Sequence, residues 1–254
     1  MYPTLPFGPL SFPTGPIITI FAVMIGLDIA GRYGRKLDIS SDDVWNTGLI
    51  AFASGLIVAR LWNVFQYAHI YQSEPTLILS LRPSGFSFWP GVVVGIVAGY
   101  AYLVYRALDP AKVGAALAIG GLAGGAMMSI SGYLTGSILG LPSQMPWALA
   151  YFGEPRHPAG LYMAAGLVAL IIVLWWRADP RRPGRTMIWA LLGYSLLRLF
   201  IDGFRDNMDL AGQFRISQLV ALVVALVCVM LLARGDGVVD VGSEEAGAPA
   251  QEHV

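Results

Sequence analysis

The stretch "RISQLVALVVALVCVMLLA", residues 215–233, decides the fold of this chain. From Ile216 to Ala233 it carries no charged side chain. At 1.5 Å per residue this run is about 27 Å long as a helix, which matches the hydrocarbon thickness of a bilayer. The stretch therefore predicts a transmembrane helix.

Six more runs share this apolar character, and each is separated from the next by Pro, Gly or clustered charges that end a helix. They lie near 16–31, 44–67, 88–107, 113–140, 158–176 and 186–204. The whole chain is 56% hydrophobic and only 13% charged, against about a quarter charged in soluble domains. We predict an all-α integral membrane protein with seven transmembrane helices. It forms a single domain over 1–235, with a disordered cytoplasmic tail over 236–254.

Charge and composition argue against several kinds of partner and segment. The formal net charge is +0, and no basic stripe alternates with aromatic residues, so nucleic acid is not an expected partner. The N-terminus lacks the basic residues of a secretory signal. The single cysteine, Cys228, falls inside the last apolar run, where it is expected to be a small core residue.

Lysine and arginine are distributed unevenly between the two sides of the predicted bundle. Ten of the 16 fall on one side and four on the other, while Arg60 and Arg198 lie within spans. Because positive residues favour the cytoplasm, the N-terminus is predicted outside and the C-terminus inside. The ten are Arg32, Arg35, Lys36, Arg106, Lys112, Arg177, Arg181, Arg182, Arg185 and Arg234.

Three ionisable residues close the sixth span in "LLRLFIDGFRDN", residues 196–207. Arg198, Asp202 and Arg205 are spaced by four and three residues, which places them on one helical face. Arg60, in the second span, lies at a similar depth. Since buried charges are costly unless paired or functional, we predict that Arg60 and Arg198 hold one phosphate between them. The alternative is that Asp202 neutralises Arg198 while Arg60 extends to the headgroups.

His157, in "EPRHPAGLY", precedes the fifth span, which Pro158 is placed to begin. A histidine at a membrane interface can act as a base near neutral pH, or it can cap the loop. No metal-ligand spacing or phosphate-binding glycine loop is present, so no metal or cofactor is expected. "GGLAGG" at 120–125 indicates close helix packing instead.

Several motifs in order along the chain carry a family resemblance from about residue 10 to 235. They are "VARLWNVFQY", "FSFWPGVVVGIVAGY", "GLPSQMPWAL", "RHPAGLY", "RRPGRTMIWALLGYSLLRLFIDGFRDN" and "ISQL". Together they resemble bacterial prolipoprotein diacylglyceryl transferase. The resemblance implies a plasma-membrane enzyme that moves a diacylglyceryl group from phosphatidylglycerol, or another anionic phospholipid, to the cysteine thiol of a lipobox preprolipoprotein.

The resemblance also implies roles for individual residues. The family's "RHPSQLYE" is matched at Arg156, His157, Pro158, Leu161 and Tyr162, and its "FR…E..R" at Arg198, Asp202 and Arg205. The implied base for the thiol is His157 or Asp202. The implied ligands of the donor lipid are Arg60, Arg198, Arg205 and Tyr162.

The chain departs from the family at several polar positions. Trp89 stands where the family's "SFHGG" has its histidine, and Ser129 where "GRIGNFINGE" has its arginine. Within "RHPSQLYE", Ala159, Gly160 and Met163 replace Ser, Gln and Glu. Two hypotheses follow: a diverged diacylglyceryl transferase, or an inactive relative that serves as a lipid-binding or assembly subunit of a membrane complex.

Overall fold

Seven long helices dominate the structure, a computed structural model that describes residues 4–7, 10–79, 85–151, 153–211 and 214–245. This confirms the prediction of an all-α membrane protein with seven spans. The long helices are α1 Thr14–Lys36, α2 Ser41–Gln66, α4 Phe88–Tyr105, α5 Pro110–Thr135, α6 Ala159–Arg177, α7 Pro183–Ile201 and α8 Ile216–Glu245, and α3 Ala68–Ser73 is short.

The helix boundaries follow local chemistry. Ser40 caps α2 by accepting a hydrogen bond from the Asp42 amide at 3.2 Å, and Asp109 caps α5 at the Ala111 amide at 2.8 Å. The fourth span was predicted to reach residue 140. It ends at Thr135 because Gly136 adopts a left-handed conformation with φ 82°.

Close backbone contacts hold the bundle together. A Cβ added at Gly26 of α1 would lie 2.9 Å from the Gly120 oxygen of α5, and one at Gly55 of α2 would lie 2.7 Å from the Gly91 oxygen of α4. Small residues let helices approach this closely. Close packing matters in a membrane because the hydrophobic effect does not drive helices together within lipid. α5 also packs on α6 and α7, so the buried core centres on α5.

One end of the bundle, here called the site end, holds the ends of α5 and α7 and the starts of α6 and α8. Two short antiparallel hairpins lie there, β3 Leu149–Tyr151 with β4 Glu154–Arg156, and β5 Leu210–Ala211 with β6 Phe214–Arg215. A third hairpin, β1 Thr4–Phe7 with β2 Leu10–Pro13, precedes α1. The sequence analysis did not predict these strands, which are only two to four residues long.

The seven-helix arrangement leaves two predictions untested. The orientation in the membrane, with the site end outside, stays a prediction. The predicted tail over 236–254 overlaps the last part of α8 and continues beyond residue 245, outside the described residues, so it also stays a prediction.

Candidate functional site

Asp202 lies at the centre of a charged cluster at the end of α7, here called the trio. Its side chain is only 2% exposed. The Arg198 Nε lies 3.0 Å from Asp202 Oδ2, and an Arg205 terminal nitrogen lies 3.5 Å from Oδ1. Arg198 and Asp202 meet across one helical turn, as their spacing of four predicts. Arg205 does not lie on the predicted helical face, because α7 ends at Ile201 and Arg205 follows a 3₁₀ turn, Asp202–Phe204, in extended backbone; it still contacts Asp202.

The trio has a net charge of one positive unit, because two guanidinium groups face one carboxylate. Burial lowers the pKa of the Arg205 guanidinium, Asp202 raises it, and the positive charge of Arg198 lowers it further. Arg205 Nε is one of the buried side-chain nitrogens that donate no hydrogen bond within the described part of the chain. An anion beside Arg205 would balance the charge and could accept a hydrogen bond from that N–H.

A cavity of about 210 Å³ opens onto the trio. It lies between α5, α6 and α7, so its walls are set by the central packing of the bundle. The described residues that line it are Gly125, Met128, Ser129, Ile138, Ala159, Met163, Leu167, Tyr194, Arg198, Ile201, Asp202 and Arg205. Its size and charge suit a phosphate-sized anion better than a large apolar ligand.

Three positions at which the resemblance expects other residues line this same cavity. Ser129, where the resemblance expects arginine, is 7% exposed and donates to the Gly125 carbonyl oxygen at 2.8 Å. Ala159 and Met163 also face the cavity without side-chain charge. The described lining thus contains two guanidinium groups and one carboxylate, and no charged side chain on its α5 and α6 walls.

Tyr194 is a cavity residue that the sequence analysis missed. It lines the cavity together with Arg198 and Asp202. The signal was available, because residues 194, 198 and 202 are spaced by four and share one helical face. Its phenol adds a hydrogen-bonding group next to the cationic pair.

His157 lies on a different set of contacts at the site end. Its amide donates to the Leu141 oxygen at 3.0 Å, and its ring packs against Phe204 with centroids 5.2 Å apart. Its Nδ1 lies 3.2 Å from the Tyr162 hydroxyl, which accepts a hydrogen bond from Trp147 Nε1 at 2.8 Å. The described lining of the cavity does not include His157.

The direction of the His157–Tyr162 hydrogen bond depends on the histidine tautomer. The Trp147 N–H can only donate, so the Tyr162 hydroxyl uses one lone pair for it and keeps a second lone pair and its own proton. In the tautomer with the proton on Nε2, Nδ1 accepts from Tyr162 and is the basic atom.

Arg60 does not share the cavity of the trio. Its Nε donates to the Ile78 oxygen at 3.0 Å, and its terminal nitrogens donate to the oxygens of Gly85, at 2.5 Å, and Leu77. Its guanidinium also lies over two aromatic rings, Tyr71 at 5.4 Å and Phe86 at 5.3 Å. The prediction that Arg60 and Arg198 hold one anion together is therefore wrong, and a role for Arg60 in lipid binding stays a prediction that these contacts do not favour.

A network of ion pairs and hydrogen bonds positions the trio. Arg156 contacts Asp206 at 2.9 Å and Glu154 at 3.2 Å. Asn207 donates to the Ser137 oxygen at 2.7 Å and accepts from the Leu139 amide at 3.0 Å. The segment after α5 is thereby joined to the segment after α7, which fixes the position of Arg205 between them.

Trp89, which the resemblance places at the family's histidine, is not part of the described lining of the cavity. It is 74% exposed at the start of α4 and packs edge-on against Phe88 at 5.4 Å. In the described part of the chain no group of three or more His, Cys, Asp or Glu side chains could hold a metal ion.

Comparison with known proteins agrees with the motifs. A family model for prolipoprotein diacylglyceryl transferase matches residues 5–234. Three relatives are named phosphatidylglycerol–prolipoprotein diacylglyceryl transferase. That of Clostridioides difficile is 27% identical over 82% of this chain and 84% of its own length. That of Streptococcus equi subsp. zooepidemicus is 26% identical over 89% and 91%, and that of Synechococcus elongatus 27% over 87% and 83%. A match across nearly the whole bundle shows that this chain belongs to the prolipoprotein diacylglyceryl transferase family.

Proposed function

We propose that this protein transfers a diacylglyceryl group from phosphatidylglycerol to the cysteine thiol of a prolipoprotein. Membership of the family supports the reaction class. The names of the relatives support the donor and the acceptor. The observation that carries the proposal is the buried trio, whose surplus positive charge faces a cavity of about 210 Å³.

Donor binding follows from the charge of the trio. The phosphodiester of phosphatidylglycerol carries one negative charge, which balances the one surplus positive charge of Arg198, Asp202 and Arg205. Guanidinium groups bind phosphate oxygens through paired N–H donors. Asp202 lies between the two arginines, so it orients them toward the cavity.

The transfer step forms one bond and breaks one. The cysteine sulfur attacks the glyceryl carbon, the C–S bond forms as the C–O bond to phosphate breaks, and glycerol phosphate leaves with the electron pair. Arg198 and Arg205 stabilise the charge that develops on the leaving phosphate. The thiol proton goes to a base.

His157 is the better of the two predicted bases. Both oxygens of Asp202 face arginine, and this favours a role in orientation. His157 Nδ1 lies 3.2 Å from the Tyr162 hydroxyl, and in the tautomer in which Nδ1 accepts this hydrogen bond a thiol proton would reach it directly or through that hydroxyl. Both base assignments remain part of the proposal.

The test is complementation of bacterial cells depleted of their own transferase. We expect a lipobox reporter protein to gain the diacylglyceryl mass when this chain is expressed, and Arg198→Ala to reduce that gain at least about 100-fold, the effect of removing one preorganised electrostatic contact. Arg32→Ala is the matched control, because Arg32 is an exposed arginine that pairs with Asp28 across one helical turn. The absence of any mass gain, with the chain present in the membrane, would overturn the proposal.

A second candidate, a lipid-binding or assembly subunit without transferase activity, is favoured by the uncharged side chains at three cavity positions where the resemblance expects other residues. Ser129, Ala159 and Met163 add no charge there. This candidate predicts that the purified chain retains anionic phospholipid while the reporter gains no mass. The inner membrane of a bacterium is the proposed location in either case.

A further inference from the structure

We propose that a groove between α1, α2 and α5, here called the acyl groove, holds one fatty acyl chain of the anionic phospholipid whose phosphate lies at the trio. The groove encloses about 370 Å³. Its described lining is apolar apart from Thr19 and includes Leu27, Phe52, Leu117 and Gly121. This inference rests on the proposed function, since it assigns a place to the donor of that reaction.

The acyl groove adjoins the cavity of the trio at Met128. Met128 lines both spaces, and the consecutive residues Gly124 and Gly125 line the groove and the cavity respectively. The Thr19 hydroxyl lies 3.5 Å from the Met128 sulfur, which holds this side chain at the junction. A single molecule with a charged head and an apolar tail therefore fits the two spaces in sequence.

The length of the groove matches the acyl chain of one leaflet. On α5 its lining runs from Met128 to Leu117, eleven residues or about 16 Å along the helix axis, and half of a hydrocarbon core of about 30 Å is about 15 Å. Because α5 spans Pro110–Thr135, the groove begins about 10 Å below the site end and extends past the middle of that helix.

Helix packing does not require a glycine at position 121, which lines the groove. An added Cβ at the neighbouring Gly120 would collide with α1 at the Gly26 oxygen, whereas one at Gly121 meets no atom within 4 Å. Glycine in a helix interior is less stable than alanine. An occupant of the groove explains why this position lacks a side chain.

The test uses phosphatidylglycerol with a photoreactive diazirine in the middle of one acyl chain. The purified full-length chain is reconstituted in nanodiscs with this probe, irradiated, and its cross-linked peptides are identified by mass spectrometry. We expect cross-links on the α1, α2 and α5 segments that line the groove, at least fivefold fewer in Gly121→Phe, and unchanged numbers in Gly184→Phe. Gly184 is the matched control because an added Cβ there also meets no atom within 4 Å, but it lies at the start of α7.

Two results would overturn the acyl groove. One is equal cross-linking in Gly121→Phe and the native chain, and the other is equal cross-linking from phosphatidylcholine carrying the same diazirine. If Gly121→Phe is not monodisperse, Gly121→Leu takes its place with the same expectation.

The reporter assay in the same variants separates this inference from the proposed function. Loss of cross-linking in Gly121→Phe with full transfer would overturn the groove as the donor's site and leave the transferase intact. Groove cross-links in a native chain that transfers nothing would support the groove and overturn the transferase.

Discussion

Asp202→Asn separates the two roles assigned to the trio, because it removes the carboxylate and leaves both arginines. The change converts a net charge of one into two within a cavity whose central side chain is only 2% exposed. Breaking a buried ion pair typically costs 3–5 kcal/mol. Arg198 is 26% exposed and can reorient toward water. We therefore expect Asp202→Asn to lower the free energy of unfolding by about 3 kcal/mol, at the lower end of that range.

Lipid binding and transfer should respond to Asp202→Asn in opposite directions. The added positive charge strengthens attraction for a phosphodiester, so retained phosphatidylglycerol should stay equal or rise. Transfer should fall at least about tenfold, since a reactive geometry depends on both guanidinium groups being oriented. Arg198→Ala, in contrast, should lose retained lipid and transfer together.

The assay pairs lipid mass spectrometry of the purified variant with thermal unfolding in detergent, with and without added phosphatidylglycerol. We expect the added lipid to restore part of the lost stability of Asp202→Asn, because a ligand that binds only the folded chain stabilises it. Arg32→Ala is again the control. If Asp202→Asn loses retained lipid as completely as Arg198→Ala, the trio does not bind an anion through its surplus charge, and this reasoning is wrong.

Two further predictions address the rest of the chain. Arg60→Ala should increase amide hydrogen exchange over residues 75–79 and 85–87, because three main-chain oxygens lose their donor. The amount of retained lipid should change less than twofold. A loss of lipid comparable to that of Arg198→Ala would instead support anion binding by Arg60. The orientation in the membrane can be tested by cysteine labelling. Cys228 is buried, so it is first changed to Ala. Glu154→Cys should then react with an impermeant maleimide outside intact cells and Arg181→Cys should not, and the reverse pattern would refute the predicted topology.

The spans could be predicted from sequence because a single physical requirement defines them. A run of about 20 apolar residues is needed to satisfy the main chain in lipid, and Pro, Gly and charges interrupt each run. The boundaries that shifted depend on local detail, such as the left-handed Gly136 that ends α5 at Thr135.

The charged cluster was predictable within one helix but not between helices. Arg198 and Asp202 meet because their helical spacing sets their relative positions, whereas Arg205 reaches Asp202 through the 3₁₀ turn that follows α7. The neighbours of Arg60 depend on how the segment after α3 folds back, and its three carbonyl acceptors lie 17 to 25 residues away. No periodic pattern encodes such a contact, so depth in the membrane was a poor guide to proximity.

The joined segments after α5 and α7 restrict how a ligand can arrive. The Leu141 amide donates to the Phe204 oxygen at 2.9 Å, and the Asp206 amide donates to the Leu139 oxygen at 2.8 Å, besides the contacts of Arg156 and Asn207 already described. Pulling these segments apart would break several main-chain bonds at once, each of which is costly to leave unmade near lipid. The segments over the charged cavity therefore stay joined, and we expect a phospholipid to reach the cavity laterally from the bilayer, between helices, rather than past these segments.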